Sequence, residues 1–177
     1  MILAIDAGTT GVTCLVVDAE LRPLGRGYRE IRQFFPRPGW VEHDPEEIWA
    51  CVLAGAEEAL AEAGVAPSAL TGIGIANQRE TTLVWERRSG RPLQRAIVWQ
   101  DRRTASICDE LREKGLEPMF REKTGLVLDP YFSGTKLTWL FRNRPELALE
   151  GKRGALAFGT IDTFLVSRLS GGAAHVT

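Results

Sequence analysis

Hydrophobic positions along this chain change rhythm twice in the first 64 residues. Ile2–Ile5 is a continuous apolar run, Asp6-Ala7-Gly8-Thr9-Thr10-Gly11 interrupts it, and Val12–Val17 resumes with β-branched residues. A second polar turn, Asp18–Pro23, leads to Leu24–Ile31. Short runs separated by Gly, Asp and Pro predict consecutive strands, and tight turns make such strands antiparallel. The period then becomes helical: Ile48, Val52, Leu53, Ala56, Ala59, Leu60 and Ala63 recur at steps that keep one face apolar. Asp44 is placed to cap that helix, Pro45 suits its first position, Glu46 and Glu47 face the positive end of its dipole, and Gly64 ends it.

Leu70–Ala76, Thr82–Trp85 and Ala96–Trp99 read as further strands. Helical patterns follow from Arg102 through Leu111 with Asp101 as cap, over Phe132–Phe141 closed by Pro145, and over Thr160–Leu169 closed by Gly171-Gly172. Strands first, then strands alternating with helices, predict an α/β fold with a mixed sheet flanked by helices. Ala173–Thr177 begins what reads as another strand and stops, so a fragment of a longer protein is expected.

Composition narrows the function. A chain of 177 residues with 44% hydrophobic and 25% charged residues can bury a proper core. A formal net charge of −1 provides no field for nucleic acid and no polybasic membrane patch. The small basic pairs Arg87-Arg88 and Arg102-Arg103 do not change that. Cys14, Cys51 and Cys108 are scattered among apolar residues, which favours buried thiols over disulfides or zinc. His43 and His175 lack partners at metal-ligand spacing. No apolar run is long enough to span a membrane and the first residues do not form a signal peptide, so a cytoplasmic protein is expected.

Three stretches carry chemistry. Gly8, Thr9, Thr10 and Gly11 combine close backbone approach with hydroxyl donors, which suits phosphate oxygens, and Asp6 at the strand end can reach magnesium. A plain hairpin turn uses the same residue types, and spacing alone does not separate the two. Asn77-Gln78-Arg79-Glu80 puts long hydrogen-bonding side chains between two strands. A kink there would aim the Arg79 fork and the Glu80 carboxylate into a cleft able to hold a polyol, whereas an internal ion pair would explain them structurally. Trp99 at a strand end offers an apolar face for a sugar or polyol, and Tyr131, before a helix, offers a hydroxyl.

In order along the chain, DAGTTG, PGWVEHDPEEIW, GIANQRETTLVW, AIVWQDRRT, TGLVLDPYFSGTKLTWL and FGTIDTFLVSRLSGG resemble the glycerol kinases among the FGGY carbohydrate kinases. The middle four favour glycerol over xylulose, ribulose, gluconate or fucose as substrate. The resemblance implies an actin-like, ribonuclease-H-like ATPase domain, of which residues 1–177 form the first part of domain I. It implies ATP with magnesium, glycerol phosphorylated to sn-glycerol 3-phosphate, and a homo-oligomeric full-length protein. Arg79 and Glu80 would hold the glycerol hydroxyls, with Tyr131 as a further partner and Trp99 as the apolar wall. Gly8, Thr9, Thr10, Gly11 and Thr13 would face the nucleotide phosphates, with Asp6 near magnesium. The family's turn continues Ser-Ser-Arg after the two threonines; here it reads Gly11-Val12-Thr13. The general-base aspartate and the adenosine domain would lie beyond Thr177. Rival readings are a kinase for another small polyol or ketose, and a non-catalytic sugar-binding or sensor domain.

Overall fold

A computed structural model describes residues 1–175 of the chain. The expected strands of the N-terminus are present as β1 (Ile2–Ala7), β2 (Gly11–Val17) and β3 (Pro23–Glu30). Two-residue strands β4 (Gln33–Phe34) and β5 (Glu42–His43) precede helix α1 (Pro45–Ala63). Then come β6 (Gly72–Asn77), β7 (Leu83–Glu86) and β8 (Ala96–Ile97). Helices α2 (Ala105–Glu113), α3 (Glu117–Thr124), α4 (Ser133–Asn143) and α5 (Pro145–Lys152) follow, with β9 (Leu156–Gly159) and α6 (Ile161–Leu169) last.

The main sheet runs β3-β2-β1-β6. Its first three strands pair antiparallel and β6 lies parallel to β1, so the sheet is mixed as the alternation of elements predicted. Period-two geometry splits β1 and β2 into two faces. Leu3, Ile5, Ala7, Val12, Cys14 and Val16 are buried in the main core together with Ile48, Val52 and Ala59 of α1. Ala4, Asp6, Thr13 and Leu15 alternate with them on the other face, and Asp6 stands opposite Thr13 in the ladder. The core also takes in Leu83, Trp85, Ile161, Phe164 and Leu165, with Trp85 edge-on to Phe164 at 5.6 Å.

Glycine sets how closely α1 approaches the sheet. A Cβ on Gly27 would fall 2.0 Å from the Gly55 carbonyl oxygen, so helix and strand meet backbone to backbone. The ends of α1 are as expected. The Asp44 side chain accepts from Glu46 N, and Gly64 closes the helix in the left-handed conformation with φ 65°. Cys14 and Cys108 are buried and all three thiols are free; burial pushes the Cys14 thiol up to about 11.

Several expectations need correction. Asp101 does not cap α2, whose N-cap is Thr104. Its buried carboxylate instead accepts from Val41 N at 2.7 Å and pairs with the Arg103 guanidinium at 2.8 Å. Arg103 itself, with a side chain 3% exposed, also pairs with Glu42 and lies over the Trp40 ring at 3.7 Å. It ties the strand before α1 to the start of α2. Pro145 does not only stop α4; it opens α5, because a proline at the first helical position loses no hydrogen bond. The strand expected over Ala96–Trp99 is limited to Ala96–Ile97. Ala173–His175 form no strand, and Val176 and Thr177 lie outside the described residues.

Candidate active site

The segment Asn77–Thr82 leaves β6 and turns sharply. Glu80 adopts φ 60°, a left-handed conformation uncommon outside glycine, and this supplies the expected kink. Around it Gln78, Glu80, Thr81 and Thr82 are bonded through their side chains, while the buried Asn77 Oδ1 and His43 Nε2 have no partner among the described residues. Gln78, buried at 5% exposure, donates through Nε2 to the Gly8 carbonyl at 3.0 Å and faces His43 Nδ1 at 3.1 Å. Its Oε1 accepts from Thr81 Oγ1 at 2.8 Å, and Thr81 Oγ1 in turn accepts from Trp99 N at 3.3 Å. This arrangement defines the amide orientation, since a flipped amide would set two oxygens against each other at Gly8. His43 Nδ1 is therefore the acceptor, and burial holds the imidazole well below its usual range, at about 4.

The Glu80 carboxylate sits at the start of α4. Its Oε2 accepts from Ser133 N at 2.8 Å and from Ser133 Oγ at 2.7 Å, and Thr82 Oγ1 donates to Ser133 Oγ at 2.8 Å. A carboxylate there satisfies a free helix N–H and meets the positive end of the dipole. Glu80 Oε1 has no protein partner among the described residues. Arg79 forms neither hydrogen bond nor ion pair among the described residues, so the internal Arg79–Glu80 pair weighed from the sequence is not formed.

Arg79, Trp99 and Tyr131 together line an open cavity of about 270 Å³. Trp99 and Tyr131 pack edge to face at 6.0 Å, and Tyr131 packs against Phe132 at 5.1 Å. Glu80 does not line that space with them. It borders a larger cavity of about 530 Å³, mostly apolar, with Leu111, Phe120, Leu126, Leu128 and Phe132. Asp129, Ser133 and Thr135 also line the larger space, whereas the smaller one brings a guanidinium, an indole and a phenol together.

The Gly8–Gly11 turn reaches this wall. Thr9 Oγ1 accepts from the Trp99 indole nitrogen at 3.0 Å, so one threonine hydroxyl of the turn orients the aromatic wall. Thr10 is exposed. Gly8 N donates to Gly11 O at 3.0 Å, closing a tight turn. Gly11 has a packing reason besides any ligand: a Cβ there would fall 2.6 Å from the Tyr28 hydroxyl. Asp6 and Thr13 border a third cavity, of about 390 Å³, on the sheet face turned away from α1.

Sequence reasoning missed Lys136 and His43 as parts of this neighbourhood. Lys136 is 1% exposed, and Nζ donates to the Tyr131 carbonyl at 2.6 Å and to the Glu80 carbonyl. A lysine in a helix reads as surface; its place four residues before buried Leu140 was the available signal.

The whole chain, residues 1–177, matches the model of the FGGY family of carbohydrate kinases, N-terminal domain. The chain belongs to this family. The FGGY domain is 56% identical over 176 residues to the glycerol kinase of Brucella ovis and 54% identical to that of Sinorhizobium fredii, covering 99% of the chain in each case. Among solved structures it superposes on Plasmodium falciparum glycerol kinase with ADP at a TM-score of 0.92, with 34% identity over 97% of the chain. It superposes on a xylulose kinase from Brucella ovis at 0.82, with 29% identity over 94%. The chain spans about a third of these relatives: 35% of each sequence, and 34% and 33% of the two solved chains. The fold is the actin-like ATPase fold, and the mixed sheet with three antiparallel N-terminal strands belongs to it. Among the described residues, no helix is long and apolar enough to cross a membrane.

Proposed function

We propose that this chain is the first part of domain I of an ATP-dependent glycerol kinase, which forms sn-glycerol 3-phosphate. The observation that carries the reading is the cavity bounded by Arg79, Trp99 and Tyr131, with Thr9 bonded to its aromatic wall. An unpaired guanidinium offers a fork of donors to vicinal hydroxyls, while the Trp99 face takes the carbon side of a small polyol. Glu80 Oε1 supplies an acceptor from the adjoining wall. The similarity to proteins named glycerol kinase supports glycerol over longer sugars.

Phosphoryl transfer needs positioning and charge stabilisation more than covalent chemistry. The Thr10 hydroxyl and the backbone of the turn are placed to hold phosphate oxygens, next to the wall that orients the acceptor. Thr13 offers a hydroxyl where the resemblance leads one to expect an arginine, so this chain would supply one positive charge fewer at that point. Magnesium takes one or two carboxylates with phosphate oxygens and water, and the lone exposed Asp6 suits that arrangement. When bound with nucleotide, the ion would neutralise phosphate charge. The base that accepts the glycerol proton would come from outside residues 1–177.

The test is phosphorylation by the full-length protein across glycerol, xylulose, ribulose, gluconate and fucose. Glycerol should give the highest kcat/KM, and residues 1–177 alone should give no turnover above background. A ketose preferred over glycerol overturns the substrate; turnover by the isolated chain overturns the placement of the base.

A further inference from the structure

We propose that Lys136 is a positioning residue that joins the two walls of the polyol site by holding the carbonyls of Glu80 and Tyr131 together; this rests on the glycerol reading above. Its Nζ donates to both carbonyls, one on each of the segments that converge there. The Glu80 carbonyl belongs to the residue at φ 60°, so the lysine grips the backbone at the kink itself. Thr82 Oγ1 lies 3.2 Å from the same oxygen, but its one hydrogen goes to Ser133 Oγ at 2.8 Å, which leaves Lys136 as the donor that holds the kink.

The site is costly to build. An ammonium 1% exposed loses its hydration, and that burial lowers its pKa to about 8 despite the carboxylates of Glu80, Asp101 and Asp129 nearby; the Arg103 guanidinium also lowers it. A methionine would fill a similar volume on α4 without that penalty. What methionine cannot do is donate to two carbonyls at once. The lysine therefore serves the relation between the Glu80 and Tyr131 segments rather than the packing of α4.

The full-length protein tests this with Lys136→Met and Lys136→Gln, the second keeping two N–H donors on a shorter stem. Lys136→Met should raise the glycerol KM about tenfold or more while the ATP KM stays within about twofold, and Lys136→Gln should raise the glycerol KM less. An unchanged glycerol KM in folded Lys136→Met, or equal rises in both constants, overturns the inference. Where only Lys136→Gln folds, the same split decides; failure of both to fold assigns the lysine to the fold and also overturns it. Arg79→Lys, measured alongside, separates the two levels. If it leaves glycerol KM unchanged, the site reading fails and takes this inference with it. If it raises glycerol KM and Lys136→Met does not, the inference alone fails.

Discussion

The turn at Gly8–Gly11 and the segment Gln78–Thr82 meet at Trp99, and they are built in opposite ways. The turn closes through one backbone bond and leaves Thr10 exposed. The segment has side chains bonded on almost every residue: Gln78 to Gly8 and His43, Thr81 to Gln78, Glu80 to Ser133. One region is left open, and the other is completed by its own neighbours. Each holds one exception. Thr9 has given its hydroxyl to Trp99, and Arg79 has no partner among the described residues. Those two residues are where the contrast is most easily broken.

The largest effect is expected at Arg79. Arg79→Lys in the full-length protein should lose a charge-assisted contact worth roughly 1.5–3 kcal/mol, about tenfold to a hundredfold in glycerol affinity by calorimetry. The ligand-free melting temperature should not move, since a point ammonium replaces a fork that holds nothing in the fold. Glu80→Gln should weaken glycerol similarly or less, because the amide oxygen can still accept from Ser133 and keep the start of α4 in place. If both variants bind glycerol normally and melt lower, the segment is a structural knot.

The turn should answer to the nucleotide instead. Thr10→Val is expected to raise the ATP KM about tenfold with glycerol affinity unchanged. Thr9→Val should behave differently, because it strands the Trp99 indole N–H and loosens the aromatic wall. Its larger effect should fall on glycerol KM. Equal behaviour of the two variants would erase the distinction between the threonines.

Much of this architecture was legible beforehand. β1–β3 and α1 follow from apolar period, a capping aspartate and a terminal glycine, which are local signals. The residues around the site were equally visible as polar runs at strand ends. The connections between them were not. Nothing in the spacing of Gln78, Gly8 and His43 indicates that one amide joins them, because the link exists only once β6 lies beside β1. Two-residue strands β4 and β5 are too short to show a period, and Pro145 reads equally well as an end or a beginning. Arg103 looked like one of a scattered basic pair, yet its stacking on Trp40 depends on residues more than 60 positions away.

The smallest expected effect lies behind the bonded segment. His43 titrates at about 4 when folded, against 6.5 as its ordinary value. Below the ordinary value the unfolded chain takes up a proton that the folded chain does not, so stability falls as pH is lowered through that window. Between about pH 6.5 and 5.5 the loss should be about 1 kcal/mol, seen as a lower melting temperature. His43→Gln should flatten that part of the profile, whatever its effect at neutral pH. A profile unchanged by the substitution would mean that the imidazole is not held neutral by this wall.

Lys136 also gives the molecule a chemical clock. Lys114, Lys123 and Lys152 are exposed, so amine-reactive reagents meet them at once. Lys136 is buried and shielded from any reagent while α4 stays seated. Its rate of labelling therefore counts openings of the wall between Glu80 and Tyr131.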